Sequence, residues 1–209
     1  QDIVNCMKSH HFDGYDVLLS VSPYYNKPNQ RGIYQHYKML SEVSPLPIII
    51  YNVPGRTASN ISADTTLKLA EDFKNIIGTK EASGNFEQVI NIIKNKPKDF
   101  LVISGDDLIT LPLIACGAVG VISVIANAYP KDFSEMTRQA LAGNFSAAQK
   151  LHYKLSEIMQ AIFADGSPAG VKTVLELQKL CTSTVRLPLV KVNKKIQKRI
   201  EGLVKRYGT

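Results

Sequence analysis

The feature that most constrains the fold is an alternation of short, β-rich, nearly unbroken apolar runs with longer stretches of helical periodicity. The runs are Asp16 to Ser22, Ile48 to Asn52 just after Pro47, Ile76 to Lys80, Phe100 to Gly105 and Gly120 to Val124. Helical patterns lie between them at 31–43, 62–73, 85–95 and 107–116. Strands that are apolar on both faces are strands covered on both faces, which is the mark of a parallel sheet with helical crossovers. Beyond the fifth run the pattern becomes helical only, over Lys131 to Leu141, Ser146 to Phe163 and Ser167 to Leu180, with a break at Pro188. The expectation is an α/β protein with a βα region over 1–130 and a helical region over 131–209. Ser62 and Asn85 stand where helix N-caps belong.

At 44% hydrophobic residues in 209, the chain can bury a sizeable core. Its formal charge of +7 would suit an anionic partner. Much of the excess, however, lies between Lys191 and Arg206, where Ile196, Ile200, Leu203 and Val204 recur at helical spacing. That pattern reads as an amphipathic helix with a solvated basic face, and no aromatic-and-basic motif argues for nucleic acid. Cys6, Cys116 and Cys181 are odd in number, widely spaced and set in apolar sequence, as expected of reduced structural thiols in a cytoplasmic protein. Leu108 to Pro130 carries no charge, but Pro112, Gly117, Gly120, Ser123 and Asn127 interrupt it. A buried helix followed by a buried strand fits it better than a membrane span. The opening residues, Gln1 to Asn5, have no signal-peptide pattern and no initiator Met, and read as the interior of a longer sequence.

Polar residues gather at the C-terminal ends of the apolar runs: Tyr24-Tyr25-Asn26, Tyr51-Asn52, Lys80-Glu81 and Ser104 to Asp107. In a parallel βα barrel that rim is where chemistry is assembled from several strands. Lys80 ends an apolar strand, and burying an ammonium without a partner pushes it toward the neutral amine, a nucleophile for carbonyl carbon. Most strand-end lysines are solvated charges; the Ile76-Ile77-Gly78 run before this one argues for a buried position. Tyr51 is either a proton relay for Schiff-base chemistry or an amphipathic core tyrosine. Arg56, in a Pro-Gly turn, is either a bidentate carboxylate clamp or a surface loop charge. Asp106 and Asp107 precede an apolar helix, so capping accounts for them better than acid/base or metal roles. His10, His11, His36 and His152 have no metal-ligand spacing with the cysteines, and no metal is assigned.

Taken together, Tyr24-Tyr25-Asn26-Lys27-Pro28, Tyr51-Asn52-Val53-Pro54-Gly55-Arg56-Thr57, Gly78 to Asn85, Ser104-Gly105-Asp106-Asp107 and Gly120 to Val124 resemble the dihydrodipicolinate synthase family, in that family's order. The resemblance implies a (β/α)8 barrel with a C-terminal helical region that condenses pyruvate with L-aspartate 4-semialdehyde in lysine (diaminopimelate) biosynthesis. It implies that Lys80 forms the Schiff base with pyruvate and Tyr51 joins a proton relay, with no cofactor and no metal. It also implies that Arg56 binds the aldehyde substrate's carboxylate and steadies Tyr25, and that Ile122 and Gly105 line the pocket. Tyr24 would lie beside a lysine-feedback cleft. Tyr25 would enter a neighbouring subunit's site, so a homodimer or homotetramer is implied.

Sister aldolases share the barrel and the lysine, and Arg56 favours the synthase over an N-acetylneuraminate lyase or keto-sugar-acid aldolase. The five strands correspond to the family's last five of eight. The sequence is therefore expected to be N-terminally truncated, lacking the Gly-Thr-Thr-Gly-Glu loop, and to be inactive by itself or to serve as a non-catalytic assembly module.

Overall fold

The computed structural model describes residues 2–208 of the chain. Among them the elements run α1 (Asp2–Ser9), β1 (Leu18–Val21), α2 (Gln30–Val43), β2 (Ile48–Asn52), α3 (Pro54–Thr57), α4 (Ala63–Asp72), β3 (Ile76–Glu81), α5 (Phe86–Asn95) and β4 (Leu101–Ser104). They continue with α6 (Thr110–Ala115), β5 (Gly120–Val121), a 3-10 turn (Ile125–Asn127), α7 (Pro130–Leu141), α8 (Phe145–Ala161), α9 (Ala169–Leu177) and α10 (Lys194–Tyr207). The described residues form two compact units, one reaching to 106 and including 116–122, the other of 107–115 with the residues from 123 onward.

In the first unit the strands make one parallel sheet in the order β1-β2-β3-β4-β5, as the alternating pattern requires. Helices α2, α4 and α5 each begin on a side-chain cap. Asn29 accepts from the Gly32 N–H at 3.0 Å, Ser62 from Thr65 at 3.2 Å and Asn85 from Gln88 at 3.1 Å, each satisfying one backbone donor that the helix leaves open. The caps expected at Ser62 and Asn85 are thus present. Helix α2 buries Ile33, Tyr37 and Leu40, one stripe at helical spacing. Burial pushes the Tyr37 phenol far above its usual pKa, so it donates as a neutral hydroxyl to the Ser20 carbonyl at 2.8 Å and ties α2 to β1.

The second unit is helical. α7 packs on α8, and α10 packs on α8 and α9. α10 is the basic amphipathic helix expected from the sequence, with Ile200, Leu203 and Val204 buried. α8 buries Ala148, His152, Leu155, Ile158 and Met159 along one face. Among the described residues the His152 Nδ1 has no hydrogen-bond partner, and burial holds the imidazole below its ordinary pKa. A histidine in the unfolded chain takes its proton near pH 6.5, whereas the buried one resists it. Stability from this site is therefore complete above that pH and is lost as pH falls below it. Urea midpoints measured from pH 7.5 to 5.5 are expected to decline toward acid, and His152→Leu to flatten the decline. An unchanged slope in the variant would assign the acid sensitivity elsewhere.

Several sequence expectations are corrected. The first run forms a strand only over Leu18–Val21, and the fifth only over Gly120–Val121. The fifth is cut short because the Asp107 carboxylate accepts from the Val124 and Ile125 N–H groups at 3.2 and 2.8 Å, turning the backbone into the 3-10 turn. Asp107 does cap a helical turn, but at a point 17 residues further along the chain. Cys6, Cys116 and Cys181 are free thiols, and all three are exposed despite the apolar sequence around them. The Pro-Gly turn carrying Arg56 is the short helix α3, with Pro54 at its first position and Ala58 closing it in the left-handed region at φ 52°. Among the described residues no helix is long and apolar enough to cross a membrane.

Candidate active site

The pairing of β2 with β3 decides which side chains meet. Ile48 pairs with Ile76, but Ile49 pairs with Gly78, so Ile77 is an extra residue on β3. Because side chains alternate faces along a strand, that single insertion shifts every later pair by one. Its result is that Tyr51 stands opposite Lys80 and Asn52 opposite Glu81. On the other flank Lys80 is opposite Ile103 and Glu81 opposite Ser104. Tyr51, Lys80 and Ile103 therefore share one face of the sheet, and Asn52, Glu81 and Ser104 share the other.

Lys80 is 9% exposed, and its Nζ lies over the Tyr51 ring, 4.1 Å from the centroid. An ammonium there keeps a cation–π contact worth about 1 kcal/mol, so the ring holds the amine in place as well as shielding it. Gly105 supplies the space. A Cβ at that position would come within 3.1 Å of the Lys80 Cε, 3.2 Å of its Cγ and 2.8 Å of the Ala82 Cβ. The backbone there is held by the Gly105 N–H donating to the Glu81 carbonyl at 2.8 Å. Lys80, Tyr51 and Gly105, singled out from the sequence, are thus brought together at the C-terminal ends of three adjacent strands.

The other sequence-derived residues occupy the connections beyond those strand ends. Arg56 is exposed on α3, which directly follows β2. Ile122 is 40% exposed just past β5, and its N–H donates to the Ser104 carbonyl at 2.9 Å. Tyr24 and Tyr25 follow β1, with 63% and 94% of their surface exposed. Tyr25 holds φ at 69°, a left-handed conformation that is costly for a bulky residue. Among the described residues no hydrogen bond joins Arg56 to Tyr25.

Behind the Tyr51–Lys80 face lies a polar cluster to which the sequence reading assigned no role. Glu81, 1% exposed, and Asn52, fully buried, meet there, with the Asn52 Nδ2 at 3.0 and 3.2 Å from the two carboxylate oxygens. The available signal was a pair of polar residues, Asn52 and Glu81, closing two strands that are otherwise apolar.

The dihydrodipicolinate synthetase family model matches residues 1–207. The 4-hydroxy-tetrahydrodipicolinate synthase of Flavobacterium psychrophilum is 53% identical over 206 residues, covering 99% of this chain and 70% of that protein. Its counterpart in Phocaeicola vulgatus is 57% identical over 188 residues, covering 90% of this chain and 63% of that protein. A solved structure of the chloride-inhibited dihydrodipicolinate synthase of Acinetobacter baumannii, complexed with pyruvate, superposes with a TM-score of 0.92 at 37% identity, covering 98% of this chain and 70% of that one. The chain spans between 63% and 70% of these relatives' length. Its parallel βα order, its helical second unit and a family match over nearly every residue agree: the chain belongs to the dihydrodipicolinate synthetase family and has the (β/α)8-barrel type of fold.

Proposed function

We propose that this chain carries the Schiff-base site of a 4-hydroxy-tetrahydrodipicolinate synthase, a lyase-type aldolase that condenses pyruvate with L-aspartate 4-semialdehyde in lysine biosynthesis in the cytoplasm. The observation that carries the reading is the buried Lys80 amine at the end of β3, over the Tyr51 ring and beside the gap at Gly105. The neutral amine attacks the pyruvate ketone, and loss of water leaves an imine whose carbon skeleton is activated as an enamine. Tyr51 is the neighbouring group able to carry protons during water loss. The protonated imine serves as the electron sink, so the lysine itself takes the place of a cofactor. Arg56 offers a planar guanidinium to the carboxylate of the second substrate, and Gly105 and Ile122 line the pocket.

Tyr25, exposed and held in a strained conformation, fits a role across an interface with a second copy of the chain, in a homodimer or homotetramer. Tyr24 beside it would border a regulatory lysine cleft. Incubation with pyruvate and borohydride, followed by peptide mapping, tests the central assignment. The expected result is a reduced three-carbon adduct on Lys80, absent in Lys80→Arg. An adduct that persists in that variant, or none in the unmodified protein, overturns it.

A further inference from the structure

The cluster behind the Tyr51–Lys80 face has the geometry of a positioning device, an inference that rests on the Schiff-base reading above. Glu81 Oε1 accepts from the Ser83 N–H at 2.8 Å and from the Asn52 Nδ2 at 3.2 Å, and Oε2 from the same Nδ2 at 3.0 Å. The Asn52 Oδ1 accepts from the Ile61 N–H at 3.0 Å, while its Nδ2 lies 2.9 Å from the Asn60 Oδ1. Gln88, on α5, closes the cluster by donating to the Asn60 Oδ1 at 3.3 Å and accepting from the Asn60 Nδ2 at 2.8 Å. One network, buried at Asn52 and Glu81 and reaching the surface at Asn60 and Gln88, thus ties together the ends of β2 and β3, the segment entering α4, the loop after β3 and helix α5.

Its placement gives it a consequence for the reaction. Asn52 follows Tyr51 and Glu81 follows Lys80, and each pair points to opposite faces of the sheet. Locking Asn52 to Glu81 on one face therefore locks the separation and twist of Tyr51 and Lys80 on the other. This matters most here because the extra residue at Ile77 loosens the β2–β3 register just before the site. A buried carboxylate left with an imperfect donor set is costly, so the network has one well-defined arrangement.

We propose that Asn52 and Glu81 are positioning residues that hold the Tyr51 ring and the Lys80 amine in the geometry for attack on pyruvate. Displacements near 1 Å at a reacting centre cost about 100-fold in rate. Glu81→Gln preserves shape but turns one acceptor into a donor, opposing either the Ser83 N–H or the Asn52 amide. In this variant the saturating rate of borohydride-trappable imine formation is expected to fall by roughly 10- to 100-fold. The pyruvate concentration giving half that rate should stay within about twofold, since neither residue contacts substrate. The double variant Asn52→Asp/Glu81→Gln restores a donor facing an acceptor and is expected to recover part of the lost rate.

A merely structural role would lower the unfolding temperature and leave the saturating rate of the folded protein unchanged, a result that overturns the proposal. If Glu81→Gln does not fold, Gln88→Met, at the edge of the network, carries the test, with a smaller slowing expected and an unchanged rate counting against the proposal. An unmodified protein that forms no pyruvate adduct at Lys80 defeats the Schiff-base reading itself. An adduct formed equally fast with and without Glu81→Gln defeats only the positioning role.

Discussion

Gly105→Ala is expected to slow capture of pyruvate by about 100-fold while leaving the protein folded. The added Cβ would lie 2.8 Å from the Ala82 Cβ, a separation that packed carbons do not sustain, and 3.1 Å from the Lys80 Cε, tighter than most carbon contacts. Something must move. The backbone at 105 is anchored through its N–H to the Glu81 carbonyl, whereas the lysine stem rotates about several bonds. The Ala82 Cβ is fixed to its backbone and cannot turn aside, so the chain at 82 or 105 shifts, while the lysine stem yields at its own contacts and the amine leaves its place over the Tyr51 ring. Overpacking of this kind costs about 1–3 kcal/mol in stability, so the variant should remain folded at 25 °C. The measurement is the rate of borohydride-trapped adduct on Lys80 beside a thermal melt. A rate within threefold of the unmodified protein would show that the gap at Gly105 does not hold the amine.

The second large effect concerns stability alone. Gly170, buried near the start of α9, sits so close to the end of α8 that a Cβ would fall 2.0 Å from the Ile162 carbonyl oxygen and 2.6 Å from its Cα. Every atom in the way is backbone, so no side-chain rotation relieves the clash. Gly170→Ala is expected to cost about 3 kcal/mol or more, at the upper end of overpacking. For a chain of this size that corresponds to a melting temperature lower by about 6–12 °C. Differential scanning calorimetry checks it, and a drop under about 2 °C, less than 1 kcal/mol at this size, would mean that the helices separate readily at this point.

How much was legible in the sequence differs from element to element. β2, with three successive isoleucines after Pro47, has the bounds expected of it, because an apolar run set off by a proline admits one reading. α4 and α5 follow from periodicity and caps, and α2 and the C-terminal helices from periodicity. α1 escaped notice although Ile3, Val4 and Met7 recur at helical spacing, because eight residues are too few for the period to stand out. α3 is too short for periodicity to register. β5 ends early through a bond from Asp107, distant in sequence, that no local pattern encodes. The thiols are exposed because apolar composition nearby in sequence does not decide which way a given side chain faces: Cys6 stands on the outer side of α1, and Cys116 and Cys181 lie in the segments just beyond α6 and α9.

The candidate site divides in the same way. Lys80, Tyr51, Arg56 and Gly105 stand out by residue type, by position at strand ends and by motif, and all of that is local information. Local pattern was enough for the alternating βα order, for the amine, phenol and guanidinium, and for the family to which they point. That Tyr51 faces Lys80 is visible only in three dimensions, because the pairing depends on one extra residue at Ile77 shifting the register between two strands, and the folded chain shows more besides. It alone revealed that Gly105 makes room for the lysine and that Asn52 and Glu81 are hydrogen-bonded on the opposite face. The physical reason is that side-chain chemistry is written residue by residue, whereas register and close approach arise from pairings between segments far apart in the chain.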